Sequence, residues 1–431
     1  MMLLLLRKSC RIAVATVILL APEAGAFFTV TPPTATTTNS ATSVLSRPSA
    51  ANQQRHPFSS TCRQRSLAPT LRMAASSDAA AAGGDDDLRG KVAVVTGSSR
   101  GIGKGIAVTL GQRGCTVYVT GRSVGGNTTD KARQKHEHGG ILRIRIDLYE
   151  IGGSLEETAA EIEAAGGRGI PVACDHAKDE QVKALFERVE SEQDRLDILV
   201  NNAFALGPGD QLQAKFWTQG ADAWDSLITV GLRSHYMASC FAAPLMIKSV
   251  KDRGGKPGLI ACVSSFGGLT YSFNVAYGVG KAGVDRLAKD MAVELEEEKV
   301  AVVSVYPGIV KTEKMKSLMT KNPEEFEANT GIALSSPMET PFFTGRAVAA
   351  LAADPEILKK TGKVQVVAEL AKQYGFTDVG GDTPPSIRSL RFLLPTYLFP
   401  KILPEGTKID TSSVPDWLLP MFIMANGKPP S

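Results

Sequence analysis

The stretch Val92-Ala-Val-Val-Thr-Gly-Ser-Ser-Arg-Gly-Ile-Gly103 constrains this chain of 431 residues more than any other. Val92 to Val95 is a short apolar run, suited to a strand buried on both faces. Gly97, Gly101 and Gly103 then turn the chain, and Lys104 to Gln112 reads as a helix. A strand, a glycine turn and a helix in succession aim backbone N–H groups and a helix N-terminus at one point, which attracts a pyrophosphate. The spacing is G-x-x-x-G-x-G, not G-x-G-x-x-G, and three glycines also serve plain turns. The residues that follow decide between the two.

They continue the same alternation. Thr116–Thr120 is a second strand, Gly169–Cys174 a third, Leu196–Val200 a fourth, Gly258–Val263 a fifth and Val300–Val305 a sixth. Between them Ser154 and Glu157 form a capping box for a helix to Ala165, and Asp179–Glu190 keeps Val182, Leu185, Phe186 and Val189 on one face. Trp224–Lys248 reads as a long apolar helix, Tyr277 opens another to about Glu298, Pro341–Ala353 is a further helix and Gly362–Val367 a last strand. The expected fold class is α/β: a Rossmann-type doubly wound parallel sheet in a single domain, residues 89–375, with an apolar C-terminal extension over 376–431. Ligand groups belong at the carboxyl ends of such strands. Residues 124–153 interrupt the βα unit after the second strand. A connection this long is unusual, and it reads either as a surface insertion or as an error of the gene model.

The start of the chain reads differently. Residues 1–26 carry Arg7, Lys8 and Arg11, an apolar run to Ala21 and the small-residue site Ala24-Gly-Ala26: a signal-peptide layout. Residues 27–76 hold no acid and are rich in Ser, Thr and Arg, resembling a transit peptide. Together they resemble the bipartite address of complex plastids; the alternative is a secretory or endoplasmic-reticulum destination. Residues 1–77 carry a net charge of +7 against +4 for the whole chain, so the remainder is −3 and nothing suggests a nucleic-acid partner. Cys115, Cys174, Cys240 and Cys262 are scattered, and the five His form no ligand set, so no metal site is expected.

The second strand ends in Gly121-Arg122 with no acid to hold a ribose 2′-hydroxyl. Arg122 and Arg100 offer charge for a 2′-phosphate, which favours NADP(H) over NAD(H). Tyr277-x-x-x-Lys281 puts a phenol and an ammonium on one helix face. A phenol of ordinary pKa about 10 shuttles protons poorly near neutrality; bringing it toward 7 takes roughly 4 kcal/mol of phenolate stabilisation. Taken with Thr96-Gly97-Ser-Ser-Arg-Gly-Ile-Gly103, Asn201-Asn-Ala203, Ser265 and Pro307-Gly-Ile-Val-Lys-Thr312, the pair resembles the short-chain dehydrogenase/reductase family over residues 89 to about 315. Asn201-Asn-Ala-Phe204, Val230–Tyr236, Tyr277-Gly-Val-Gly-Lys281, Tyr306–Glu313 and Val414-Pro-Asp-Trp417 resemble the dehydrogenase/reductase member 1 group within it.

The resemblance implies roles. Tyr277 would be the general acid in carbonyl reduction, Lys281 would hold the nicotinamide ribose and lower the tyrosine pKa, and Ser265 would bind the substrate carbonyl, with Ser264 competing for that role. Gly97, Ser99, Arg100, Gly101, Ile102 and Gly103 would line the cofactor, Arg122 its 2′-phosphate and Asp175 the adenine. Asn201 and Ala203 would meet the adjoining ribose region, and Pro307, Gly308, Ile309 and Thr312 the carboxamide and pyrophosphate side. Two departures stand out: the family's glycine after Asn-Asn-Ala is Phe204, and its helix asparagine, part of a water relay behind the lysine, is Gly231, with His235 as a candidate substitute. The expected activity is NADP(H)-dependent interconversion of a carbonyl and an alcohol, with a lipophilic small-molecule substrate and a homo-oligomer. Alternatives are a catalytically weak cofactor sensor or scaffold, or a lipid-binding protein. Residues 315–341 read as a lid. Residues 387–424, cut by five prolines, hold no run of the ~20 residues a bilayer span needs; they read as packing on the core or a dimer contact, with peripheral membrane contact as a second reading.

Overall fold

The computed structural model describes residues 88–123, 153–205, 215–321, 336–403 and 411–425, with a few positions between 323 and 334. The leader segments 1–26 and 27–76, and residues 124–152 of the expected insertion, lie outside the described residues, as does part of the expected lid.

Seven strands form one sheet: β1 Val92–Val95, β2 Thr116–Gly121, β3 Arg168–Ala173, β4 Ile198–Asn201, β5 Gly258–Val263, β6 Val300–Tyr306 and β7 Val364–Val366. Their order is β3-β2-β1-β4-β5-β6-β7 and every pairing is parallel. The apolar runs behave as their composition demands. Every residue of β1, β4, β5 and β6 is buried. The strand period of two then divides each run between two cores. Ala93, Val95, Val117, Val119 and Val200 face one core, closed by α1 (Gly101–Gln112) and α8 (Pro341–Ala353). Val92, Val94, Tyr118, Leu199 and Ile260 face the other, under α3 (Asp179–Gln193), α5 (Ser234–Asp252) and α6 (Val275–Glu294). The edge strand β3 is only partly buried and tolerates Pro171, whose missing N–H would cost a ladder bond in a central strand.

Local chemistry sets the helix ends. Ser154 Oγ accepts the Glu157 N–H and Glu157 returns the bond to the Ser154 N–H, opening α2 (Leu155–Ala164) at the expected capping box. Asn274 Oδ1 accepts the Tyr277 N–H at 2.8 Å, so α6 starts at Val275, two residues before Tyr277. The expected helix over 224–248 extends further at both ends, as α4 (Ala221–Ile228) and α5 joined through one widened π-type turn, Thr229–Arg233.

After α7 (Glu313–Lys321), α8 and β7 come α9 (Val367–Tyr374) and the C-terminal extension. Ile387 and Phe392 pack on Tyr306 and Val366 at the end of the sheet. Arg388 makes two bonds of 2.6 Å to the Glu369 carboxylate, and the Leu390 and Leu419 N–H groups pair with Trp417 and Arg388 carbonyls at 3.0 and 2.9 Å. The extension is thus fastened to the core. Among the described residues no helix is long and apolar enough to cross a membrane.

Asp197, 2% exposed, joins three elements beneath the sheet. It accepts the Val92 N–H at 2.8 Å and bonds Arg195 at 3.0 Å and Arg253 at 2.8 Å. Removing one partner of a buried ion pair strands the others. Asp197→Ala should therefore cost about 3 kcal/mol, read from urea unfolding. A loss under about 1 kcal/mol would show that the arginines simply turn to water.

Candidate active site

The glycine turn after β1 lies against the end of β4. Gly97 has φ +65°, and a Cβ there would stand 2.8 Å from Ala203 Cα, so only glycine permits the approach. Thr96 Oγ1 accepts the N–H groups of Asn202 and Ala203, both at 2.9 Å, and Asn202 Nδ2 donates to the carbonyls of Thr96 and Gly97 at 2.9 and 3.0 Å. The crevice between these two strands is the topological switch point of the sheet. At its rim stands the N-terminus of α1, where Glu313 Oε2 already accepts the Gly101 N–H at 2.9 Å, as a phosphate oxygen would. Thr312 lies beside Gly101. Arg100 donates to Ser123 Oγ at 2.9 Å and feels the Arg122 charge, so the end of β2 carries two neighbouring guanidiniums. These residues fit a dinucleotide, glycine cradle and cationic end included.

Other expected cofactor residues are placed with varying directness. Asp175 follows β3 and its carboxylate closes a turn onto the Ala177 N–H at 3.1 Å. Asn201 is fully buried, and its amide points into the core, donating to Ser239 Oγ at 2.9 Å. That side chain binds α5 to β4 rather than facing the crevice, because β4 is covered on both sides here. Ser99 is nearly buried, and Ile102 packs on the core. Pro307 to Ile309 follow β6, and the Ile309 carbonyl accepts the Glu339 N–H at 2.9 Å.

The chemistry-bearing side chains meet at the ends of β5 and α6. Ser265 Oγ is 2.8 Å from Tyr277 Oη and accepts the Gly267 N–H at 3.1 Å, which leaves its own proton for the phenol or a ligand. Ser264 points the other way, buried, donating to the Lys281 carbonyl at 3.2 Å and lying among Asp285 and Tyr306. The geometry pairs Ser265 with Tyr277. Gly267 passes so close to the ring that an added Cβ would be 2.5 Å from Tyr277 Cε1. Lys281 Nζ donates to the Val263 carbonyl at 3.0 Å and sits 5.1 Å over the Phe204 ring. Phe204 and Phe273 both stand edge-to-face on Tyr277, at 5.9 and 5.0 Å. Phe273 does so from a left-handed backbone, φ +63°, that a bulky residue rarely adopts.

Burial governs the titration of these groups. It pushes the Tyr277 phenol up, opposed by the Ser265 hydrogen bond. Burial by itself favours the neutral phenol. Burial also lowers the Lys281 ammonium to about 8, with Asp285 and Cys262 opposing. His235, the candidate relay residue, is held neutral by burial, near 3; its Nε2 donates to the Ala203 carbonyl at 3.1 Å. It acts as a packed pin for the loop after β4.

Sequence reasoning missed Glu339. It is 2% exposed, and a Cβ on Gly308 would stand 2.8 Å from its Oε2; the Gly308 backbone and Thr344 Oγ1 supply its hydrogen bonds. No motif marks it, because its burial is set by the fold alone.

The comparisons agree with the geometry. A family model described as short chain dehydrogenase matches residues 91–151 and 146–323. The dehydrogenase/reductase SDR family member 1 of Mus musculus is 42% identical over 312 residues, 71% of this chain and 89% of that protein; its Homo sapiens counterpart is 41% identical over 318 residues with the same coverage. A Beutenbergia cavernae structure, provisionally described as an NAD(P)-dependent gluconate 5-dehydrogenase with NADP bound at low occupancy, is 25% identical. It superimposes with a TM-score of 0.50 over 66% of this chain and 97% of that one. The fold and site define a nicotinamide-nucleotide oxidoreductase on a Rossmann sheet. The chain belongs to the short-chain dehydrogenase/reductase family.

Burial lifts the Glu339 carboxyl to about 8, above its ordinary 4.5. A group raised in the folded state stabilises below its unfolded pKa and loses that contribution as pH rises through the folded one. The melting temperature should fall between pH 5 and 8, and Glu339→Gln should flatten that fall by a few degrees. Parallel pH curves for the two proteins would show that the carboxyl is ionised throughout.

Proposed function

We propose that this protein reduces a carbonyl compound, aldehyde or ketone, to the alcohol with NADPH, and runs the reverse reaction with NADP+. The observation that carries the reading is the Ser265–Tyr277 hydrogen bond of 2.8 Å, with Lys281 one helical turn away. When bound, the reduced nicotinamide supplies the hydride. Ser265 Oγ accepts the Gly267 N–H and would donate its own proton to the carbonyl oxygen, orienting it. Tyr277 Oη gives its proton to that oxygen as negative charge develops. Lys281 supports the negative charge left on the phenolate once the proton has gone. Arg100 and Arg122 would hold the 2′-phosphate, while Gly97 to Gly103 and Thr312 would hold the pyrophosphate.

The aromatic surroundings of Tyr277 favour an apolar substrate. A sensor or scaffold without turnover is the weaker reading, since Ser265, Tyr277 and Lys281 are all present and assembled. The experiment uses protein beginning near Met73, titrated with NADPH and NADH and then given aldehydes, ketones and quinones. NADPH should bind tighter than NADH. Tyr277→Phe and Ser265→Ala should lower kcat by at least about 10² with cofactor affinity retained, while Ser264→Ala changes it little. Tight NADPH binding without turnover of any carbonyl would sink the enzyme reading.

We further infer that residues 1–76 direct the protein to a complex plastid. Fused to a fluorescent protein in a diatom cell, residues 1–76 should give plastid fluorescence, and residues 1–26 alone a secretory pattern. Reticulum fluorescence from both fusions would remove the plastid assignment.

A further inference from the structure

We infer that Phe204 is a positioning residue of the catalytic pair, its ring seated against Gly231 and bracing both the Lys281 ammonium and the Tyr277 phenol. The inference rests on the oxidoreductase reading above. Three contacts carry it. The ring centroid lies 5.1 Å from Lys281 Nζ, within cation–π range. The same ring stands edge-to-face on Tyr277 at 5.9 Å and 89°. A Cβ at position 231 would sit 3.2 Å from Phe204 Cδ2, so any larger residue there displaces the ring. Phe204, Gly231, Tyr277 and Lys281 line one narrow crevice.

The placement is built rather than incidental. The preceding residue is locked on both sides: the Ala203 N–H goes to Thr96 Oγ1 at 2.9 Å, and its carbonyl accepts His235 Nε2 at 3.1 Å. Gly231 reaches the ring from the widened turn Thr229–Arg233, and such turns frequently sit at functional sites. Yet Phe204 is 40% exposed. Its ring contacts with Lys281 and Tyr277 lie on the side toward the catalytic pair.

The electrostatics explain what the ring contributes. Among the described residues, Lys281 Nζ donates to one hydrogen-bond acceptor, the Val263 carbonyl. The titratable groups that act on it are Asp285 one turn along α6, Cys262 on β5 and His235 on α5, and Tyr277 lines the same crevice. His235 and Cys262 are held neutral by burial, and burial also pushes the Asp285 carboxyl up. The negative face of Phe204 therefore supports a cation that its surroundings otherwise disfavour.

The test compares Phe204→Leu, Phe204→Tyr, Gly231→Ala and the Phe204→Leu/Gly231→Ala pair with the wild type. The first readout is the titration of Lys281 by NMR of 13C-lysine-labelled protein, its signal assigned through Lys281→Arg. It needs no substrate. Loss of the ring should shift this titration about half a pH unit or more to the acid side, and Phe204→Tyr should restore it. Where a carbonyl is turned over, kcat in Phe204→Leu should drop about tenfold, with the limb that falls as pH rises moving to lower pH. The NADPH dissociation constant, read by fluorescence, should stay within about threefold. Gly231→Ala should reproduce part of the shift alone and add nothing once Phe204 is leucine; it reads the same contact if Phe204→Leu does not fold. An unmoved Lys281 titration in a folded Phe204→Leu protein would overturn the inference. Absence of turnover in the wild type, with the titration shifted as expected, would count against the proposed reaction and leave the role of Phe204 standing.

Discussion

The hydroxyl of Thr96 accepts two backbone N–H groups from the far side of the crevice, at Asn202 and Ala203. This is the joint at which strand order reverses: β1 is followed on one side by β2 and β3, on the other by β4 to β7. Two parallel strands whose following turns leave in opposite directions must open a cleft between them. Without a tie across it, the glycine turn and the loop after β4 would be two independent surface loops. With it, Gly97 and the glycine turn on one side and Phe204 on the other are held from a single hydrogen-bonded corner. Asn202 adds the second strap, back to the carbonyls of Thr96 and Gly97.

The central strands were legible because burial on both faces leaves no room for polar residues, so β1, β5 and β6 stand in the sequence as unbroken apolar runs. The capping box at Ser154 and the pairing of Tyr277 with Lys281 were legible because both are local, three and four residues apart. What was hidden depends on contacts distant in sequence. Ser264 and Ser265 are neighbours of one chemistry, and only the twist after β5 turns one into the Asp285 network and the other onto the phenol. Asn201 reads as a cofactor residue from its motif, but its side chain is captured by Ser239, which no local pattern announces. Phe204 and Gly231 read as two separate departures from a family pattern; in space they are one, ring against notch.

The site carries an electrostatic conflict that its architecture only partly resolves. Burial favours the neutral form of every titrating group, raising Tyr277 and lowering Lys281. In the proposed reaction this suits the phenol, since a neutral phenol is the form that donates a proton. In the same proposal it works against the lysine, because a neutral amine cannot support a phenolate. Three supports lean the other way: the Val263 carbonyl, the Asp285 side chain and the Phe204 ring. None is a full counter-charge in contact. A carboxylate bonded directly to Lys281 would hold the ammonium more firmly, but would also neutralise its field at the tyrosine. A carbonyl dipole and an aromatic face support the cation without neutralising its charge. The weak supports are therefore the ones compatible with the proposed role, in which the lysine charge acts on its neighbour.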